Sequence, residues 1–204
     1  GASIGKNWNT PLASCCEDYL YCMERLYPHV DYFAINISSP NTEGLRELQK
    51  GDLFINILSR VSKFRDTMIK KSKKKKALFI KLSSDLSEHQ IDFIAKSIKS
   101  YCIDGLILSN TSQDSALRAP LEIAITEGGL SGPPLFEKSC QMVRAFRELC
   151  PSELIIVGVG GIDRPTRARE MLSSGANLLQ TYTGLVYHGP ALVRRLALAG
   201  VLRK

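Results

Sequence analysis

Two hydrophobic rhythms alternate along this chain. Short, nearly unbroken apolar runs occupy 2–4, 32–37, 77–83, 105–110, 154–161 and 177–183. Runs of that length, bounded by Gly, Pro, Ser or Asn, predict β-strands buried on both faces. Between them apolar residues recur every three or four positions. Leu20, Met23 and Leu26 predict a helix over roughly 12–27, and Leu53, Ile57, Val61 and Phe64 a longer one over about 46–71. Ser87-Glu-His-Gln90 has the form of a capping box, so a helix carrying Ile91, Ile94, Ala95 and Ile98 is expected to start at Ser87. Further helices are predicted over about 135–149, after an Asp163 cap with Pro165 in the first turn, and after Gly189-Pro190.

This is β followed by α, six times, with no linker or low-complexity boundary between units. Parallel strands need crossovers and crossovers are right-handed, so the alternation predicts one α/β domain with a parallel sheet. Two architectures satisfy it. Six units fill an open doubly wound sheet, whereas a (β/α)8 barrel needs two more, which would lie upstream of Gly1. The longest irregular stretch, 111–134, contains Glu127-Gly-Gly-Leu-Ser-Gly132, and connections of that length in a compact domain are usually functional or mobile.

Composition narrows the partners more than the fold. The chain has 204 residues, 44% hydrophobic and 23% charged, as in an ordinary globular domain. No apolar run approaches the roughly 18–20 residues of a membrane span. The chain opens on Gly1-Ala-Ser-Ile-Gly5 rather than on Met, as though a strand were already under way. A net charge of +7 invites a nucleic-acid partner, yet six lysines sit in Lys70-Lys-Ser-Lys-Lys-Lys-Lys76, and without them the balance is +1. That run closes a predicted helix and holds no aromatic residue, so it reads as a solvated αβ loop, not a nucleic-acid face. Cys15, Cys16, Cys22, Cys102, Cys140 and Cys150 form no CxxC pair, and only three histidines accompany them. Buried thiols are expected, and no metal site.

In a parallel sheet the carboxyl ends of the strands share one edge, which is where α/β proteins bind ligands. The second predicted strand carries Asn36 inside its apolar run and ends in Ser38, Ser39, Pro40, Asn41 and Thr42. Later strands deliver Lys81, then Ser109, Asn110 and Thr111, then Gly160 and Gly161, then Tyr182 and Thr183. A lysine within an apolar strand is costly unless its ammonium meets an anion or several acceptors. Val157-Gly-Val-Gly-Gly161 offers bare backbone N–H groups before a helix, a setting for an anion such as phosphate. It is not a GxGxxG fingerprint. Paired with Tyr182-Thr183-Gly184, it matches the phosphate site that barrels build from their last two βα loops. These features point to a phosphate-bearing cofactor whose ring lies over a lysine beside an amide-rich substrate pocket.

Ile35-Asn-Ile-Ser-Ser-Pro-Asn-Thr42 with Gly44-Leu-Arg46, Ser3-Ile-Gly-Lys-Asn7, Lys81, Ser109-Asn-Thr111, Gly128-Gly-Leu-Ser-Gly132, Gly158-Val-Gly-Gly161 and Gln180-Thr-Tyr-Thr183 together resemble the class 2 dihydroorotate dehydrogenases. These are quinone-linked flavoproteins of pyrimidine biosynthesis, built as (β/α)8 barrels that bind FMN. The resemblance implies that Ser39 is the catalytic base, taking a proton from C5 of dihydroorotate while hydride passes from C6 to the flavin N5. A serine needs an activating neighbour for this, and Thr42 with a water fits that part. Class 1 enzymes carry cysteine at the base position, so serine implies class 2 and a ubiquinone-type quinone as oxidant. Asn36, Asn41, Asn110 and Thr111 match the groups that hold the planar orotate ring. Lys81 matches the lysine at the flavin N1/O2 edge, where it would stabilise the anionic reduced flavin. Ser3, Asn36, Ser109, Gly132, Gly160, Gly161, Tyr182 and Thr183 match positions that contact the cofactor and its phosphate. The loop from Ser39 to about Gln49 matches the active-site lid.

The resemblance also carries departures. Ser3 stands where many members place an asparagine, and Ser84 replaces a common proline. By this alignment the six units are barrel strands three to eight. The first two strands and the amino-terminal helices that dock on the membrane and receive quinone are absent from 1–204. The implied partners are dihydroorotate or orotate, a quinone and a membrane surface, with no nucleic acid. The implied location is peripheral, on the mitochondrial inner membrane of a eukaryote or the inner membrane of a bacterium. A non-catalytic barrel fragment and another phosphate-binding barrel enzyme are the alternative readings.

Overall fold

A computed structural model describes residues 1–121 and 127–198. Its sheet has six strands: β1 (Ala2–Gly5), β2 (Tyr32–Asn36), β3 (Ala77–Leu82), β4 (Gly105–Leu108), β5 (Ile155–Val159) and β6 (Leu178–Gln180). They lie in chain order and every neighbouring pair is parallel. That order decides between the two architectures. A doubly wound sheet reverses its strand order at a switch point, and this one never does. With right-handed crossovers and no reversal, all connecting helices fall on one side, as in a barrel wall.

The packing follows that division. On the helix side Phe33, Ile35, Leu78, Ile80, Leu106 and Ile156 join one large core with residues of α1 (Cys15–Leu26), α2 (Gly51–Ser72), α3 (Glu88–Ile98) and α5 (Phe136–Leu149). On the opposite side a separate small cluster consists of Ala34, Phe79, Ile107 and Val157. Both faces of the strands are therefore apolar, which explains their unbroken runs. The inner face is thin, and Leu178, in register with Val157, is 53% exposed. Among the described residues β1 and β6 each have one open edge.

Several boundaries differ from the sequence-based expectation. The predicted helix over 46–71 divides into a 3-10 turn (Leu45–Gln49) and α2, because Lys50 is extended (φ −118°, ψ 142°). The capping box at Ser87 is present, with Ser87 and Gln90 bonding each other's backbone N–H. Asp163 is not a cap. Arg164 holds that position before α6 (Pro165–Ser173), while the Asp163 carboxylate meets Arg167 at 3.2 Å and Arg164 at 3.4 Å. The last strand ends at Gln180, since Thr183 already opens a short helix, α7 (Thr183–His188), followed by α8 (Ala191–Leu198). Within the stretch expected to be irregular, Asp114 caps the single turn α4 (Ser115–Arg118), and Ser112 pairs with Leu130 in an antiparallel bridge. Positions 122–126 of that stretch lie outside the described residues.

The lysine run is not wholly a solvent feature. Lys73 ends α2 in the left-handed region (φ 58°), and Lys75 reaches Asp104 at 2.6 Å. The other Asp104 oxygen accepts from buried Arg65 at 2.6 Å and from the Leu78 N–H at 2.9 Å. One carboxylate thus ties α2 and the segment before β4 to the start of β3. Removing one partner of a buried ion pair leaves the other charge uncompensated. Asp104→Ala is expected to destabilise the complete chain by about 3 kcal/mol, read from the urea midpoint. A change below about 1 kcal/mol would mean that Arg65 is adequately solvated without it.

Candidate active site

A cavity of about 870 Å³ opens at the carboxyl ends of β3 to β6. That volume suits a cofactor-sized ligand. Lys81, Ser109, Asn110, Thr111, Gly132, Gly160, Gly161, Tyr182 and Thr183 all line it, so nine of the expected site residues share one wall. Ser131, Gln180 and Thr181 join them, although sequence reasoning did not single them out as site residues.

Lys81 occupies the fifth position of β3, level with Asn36 on β2 and Ile107 on β4. It is half-buried, and burial pulls its ammonium below the ordinary lysine range. It has no hydrogen-bond or ion-pair partner among the described residues, which leaves it available to a ligand in the cavity.

On the same cavity, two glycines form a bend. Gly160 has φ 130° and Gly161 φ 70°, both in the left-handed region that side chains avoid. A Cβ on Gly160 would strike the Ser139 hydroxyl, and one on Gly161 would sit 2.6 Å from the Phe136 Cβ. The helix α6 starts only at Pro165, so the bend belongs to a loop and not to the helix terminus expected from the sequence. Thr183 closes the far side, its hydroxyl donating to Ser131 at 2.9 Å. Tyr182, 81% exposed, stands at the rim. Two adjacent positive-φ glycines pressed against α5, on the same cavity as a lysine with no acceptor among the described residues, fit a flat cofactor carrying a phosphate.

Ser3, Asn36, Ser39, Asn41 and Thr42 do not line this cavity. Ser3 is exposed on β1, paired with Ala34, one layer below Lys81. The other four belong to the end of β2 and the loop after it. Asn36 Oδ1 accepts from both the N–H and the hydroxyl of Ser38, and Ser38 Oγ accepts from Asn110 Nδ2 at 2.9 Å. The Asn41 N–H donates to Ser39 Oγ at 3.2 Å. Pro40 lies against Gly129 and Asn41 beside Gly128, while the Thr111 side chain packs on Gly129. Asn110 and Thr111 therefore belong both to the cavity wall and to the serine loop.

A charged cluster braces these loops. Arg46 donates to Asp85 at 2.9 Å, to the Thr111 carbonyl at 3.0 Å and to the Ser38 carbonyl at 3.3 Å. Asp85 also accepts from the Ser112 hydroxyl and from the Gln113 N–H at 2.7 Å. Lys138 of α5 bridges Asp85 (2.9 Å) and Asp114 (2.7 Å). Burial raises the Asp85 carboxyl, but Ser112, Gln113 and Lys138 more than offset it and hold it at about 2. Partners 27 to 53 residues away in the chain leave no local pattern, so sequence reasoning missed this hub.

Because the folded value of Asp85 lies below its unfolded one, its stabilisation is complete above about pH 4 and fades as pH falls towards 2. Asp85→Asn is expected to cost roughly 2 kcal/mol at pH 7, with the gap from wild type closing across that acid window. An unchanged gap at pH 2.5 would contradict the assignment.

Parallel strands in chain order, one helix-covered face and a cofactor-sized cavity at the strand ends define a domain of the β/α-barrel class with a ligand site at its strand ends. The dihydroorotate dehydrogenase family model matches residues 2–199, and the chain belongs to that family. The dihydroorotate dehydrogenase (quinone) of Psychromonas ingrahamii is 44% identical over 196 residues, 96% of this chain and 58% of the relative. That of Proteus mirabilis is 43% identical over 194 residues, 95% of this chain. The crystal structure of DHODH from Eimeria tenella in complex with ferulenol superposes with a TM-score of 0.86 at 30% identity, covering 96% of this chain and 55% of that one. The chain spans 58% of the length of these curated relatives, and its six strands are a portion of the full barrel.

Proposed function

We propose that the complete protein oxidises (S)-dihydroorotate to orotate in de novo pyrimidine biosynthesis, with FMN as cofactor and a ubiquinone-type quinone as final oxidant. The observation that carries this reading is the junction of two sites. A phosphate-fitting cavity with a free ammonium adjoins a serine loop through Asn110 and Thr111, in a chain about 43% identical to enzymes named for this reaction.

FMN, when bound, supplies a two-electron acceptor that passes reducing equivalents on to quinone. Gly160, Gly161, Gly132 and Thr183 would hold its phosphate, with Ser109 and Tyr182 along the cofactor. The partly desolvated Lys81 ammonium, without an acceptor among the described residues, would sit at the polar edge of the ring and hold negative charge there. Asn36, Asn41, Asn110 and Thr111 would bind the carboxylate and carbonyl edges of the substrate. Ser39 Oγ would take the C5 proton. The Asn41 N–H already donates to that oxygen, which leaves the hydroxyl proton free to pass to Thr42 or water as the C5 proton arrives. Ser3 lies deeper on the inner face and would touch the cofactor only at its periphery.

In this reading 1–204 form one flavin-binding barrel domain. Two further strands ahead of β1 would close the open edges of β1 and β6, and amino-terminal helices would dock on the membrane that holds the quinone. In this reading attachment is peripheral; no helix among the described residues is long and apolar enough to cross a membrane. The membrane would be the inner one of a bacterium, as the bacterial relatives favour, or the mitochondrial inner membrane in a eukaryotic host.

Ser39→Ala in the complete, flavin-loaded chain is expected to lower kcat for dihydroorotate oxidation by about 10²–10⁴ at neutral pH, the span of a general base. Oxidation of dihydroorotate with a short-chain ubiquinone checks it. Undiminished turnover would contradict the role of Ser39. Thermal protection by a phosphorylated sugar but not by orotate would contradict the substrate.

A further inference from the structure

Ser38 sits between the two asparagines at the junction, and it is fully buried. Its hydroxyl donates to Asn36 Oδ1 at 2.8 Å, and its N–H donates to the same oxygen at 3.2 Å. On its other side the hydroxyl oxygen accepts from Asn110 Nδ2 at 2.9 Å, and Asn110 Oδ1 accepts the Thr111 N–H at 2.8 Å. The chain of bonds runs one way, from the Asn110 amide through the Ser38 hydroxyl to the Asn36 carbonyl. A carboxamide can offer either an acceptor or two donors to a ligand, and its bonded neighbours decide which. Here both ends are decided. With Asn36 Oδ1 turned towards Ser38, the group left for a ligand is Nδ2, which has no partner among the described residues. Ser38 is itself anchored, its carbonyl accepting from Arg46 Nε at 3.3 Å.

We propose that Ser38 is the positioning residue that sets the donor polarity of the substrate pocket. By fixing both amides it makes Asn36 present N–H groups, which select a planar ligand with an acceptor-rich edge, a carboxylate or a ring carbonyl. This rests on the reading of the site as a dihydroorotate pocket. Ser38 does not touch the reacting atoms, and Ser39 next to it keeps its own bond to Asn41. Loss of the Ser38 hydroxyl would leave Asn110 Nδ2 without its acceptor and Asn36 Oδ1 with one donor instead of two. Each amide would then be held by a single backbone N–H, Asn36 by that of Ser38 and Asn110 by that of Thr111, and its orientation would loosen. Binding would suffer more than proton removal.

The test uses the complete, flavin-loaded chain, with orotate affinity read from the perturbation of the flavin spectrum and KM and kcat from dihydroorotate oxidation. Ser38→Ala is expected to raise the orotate Kd and the dihydroorotate KM together by about tenfold to a hundredfold. Its kcat changes far less and its flavin content stays at the wild-type level. Ser38→Thr, which keeps the hydroxyl, restores most of the affinity. Wild-type Kd and KM in Ser38→Ala, or a loss confined to kcat, would overturn the proposal. If the alanine variant fails to fold, Ser38→Cys keeps the volume with a weaker donor and acceptor, and wild-type affinity in that variant overturns the proposal equally. A wild-type chain that binds no orotate overturns this proposal together with the functional reading, whereas wild-type binding with indifferent Ser38 variants overturns this proposal alone.

Discussion

Parallel pairing in unbroken chain order is the constraint on which everything else rests. In that arrangement each strand meets its neighbour at the same level, so the row Asn36, Lys81, Ile107 and Val157 crosses the sheet directly. Two residues further on, Ser109 and Val159 face each other through the Ser109 N–H and Val159 carbonyl at 2.9 Å. Asn36, Lys81 and Ser109, from β2, β3 and the end of β4, are thereby delivered to one rim. A one-residue slip of any strand would turn its contribution from the inner face to the helix side, where the large apolar core leaves no room for it. The fold therefore enforces the site through the same packing that stabilises it.

The rim is assembled from groups the fold alone would not favour. Lys81 is partly desolvated without an acceptor among the described residues, and Gly160 and Gly161 adopt a conformation that other residues rarely enter. Such features are destabilising unless a ligand completes them. They are offset by the Arg46, Asp85, Ser112 and Lys138 cluster, which binds the loops after β2, β3 and β4 to each other and to α5. A half-buried carboxylate that keeps two cations and a hydroxyl in place makes the serine loop a braced element, with Pro40 and Thr111 both packed on Gly129.

Much of the fold was legible because the strands read as unbroken apolar runs and the helices as stripes with a period near 3.6 residues. The choice between an open sheet and a barrel was not, since both contain the same units and only spatial order separates them. Lys81 stood out because a cation in an apolar strand demands a reason, and the glycine pair because it followed such a strand. Asp163 misled: its position before Pro165 has the form of a cap, but the nearby guanidinium of Arg167 is the stronger partner. Ser38 and Asp85 stayed hidden for a different reason. The partners that give them their roles, Asn110 for Ser38 and Ser112 for Asp85, lie 72 and 27 residues away, and a serine or aspartate in a turn looks the same whether or not it anchors a site.

The central claim is that one wall of the sheet serves a single stacked pair of ligands. A crystal structure of the complete chain with FMN and orotate tests it most directly. The account predicts the phosphate within hydrogen-bonding distance of the Gly160 and Gly161 N–H groups, the ring edge at Lys81 Nζ, and orotate between that ring and Ser39 Oγ. A phosphate bound away from these glycines, or Lys81 and Ser39 facing separate ligands, would contradict it.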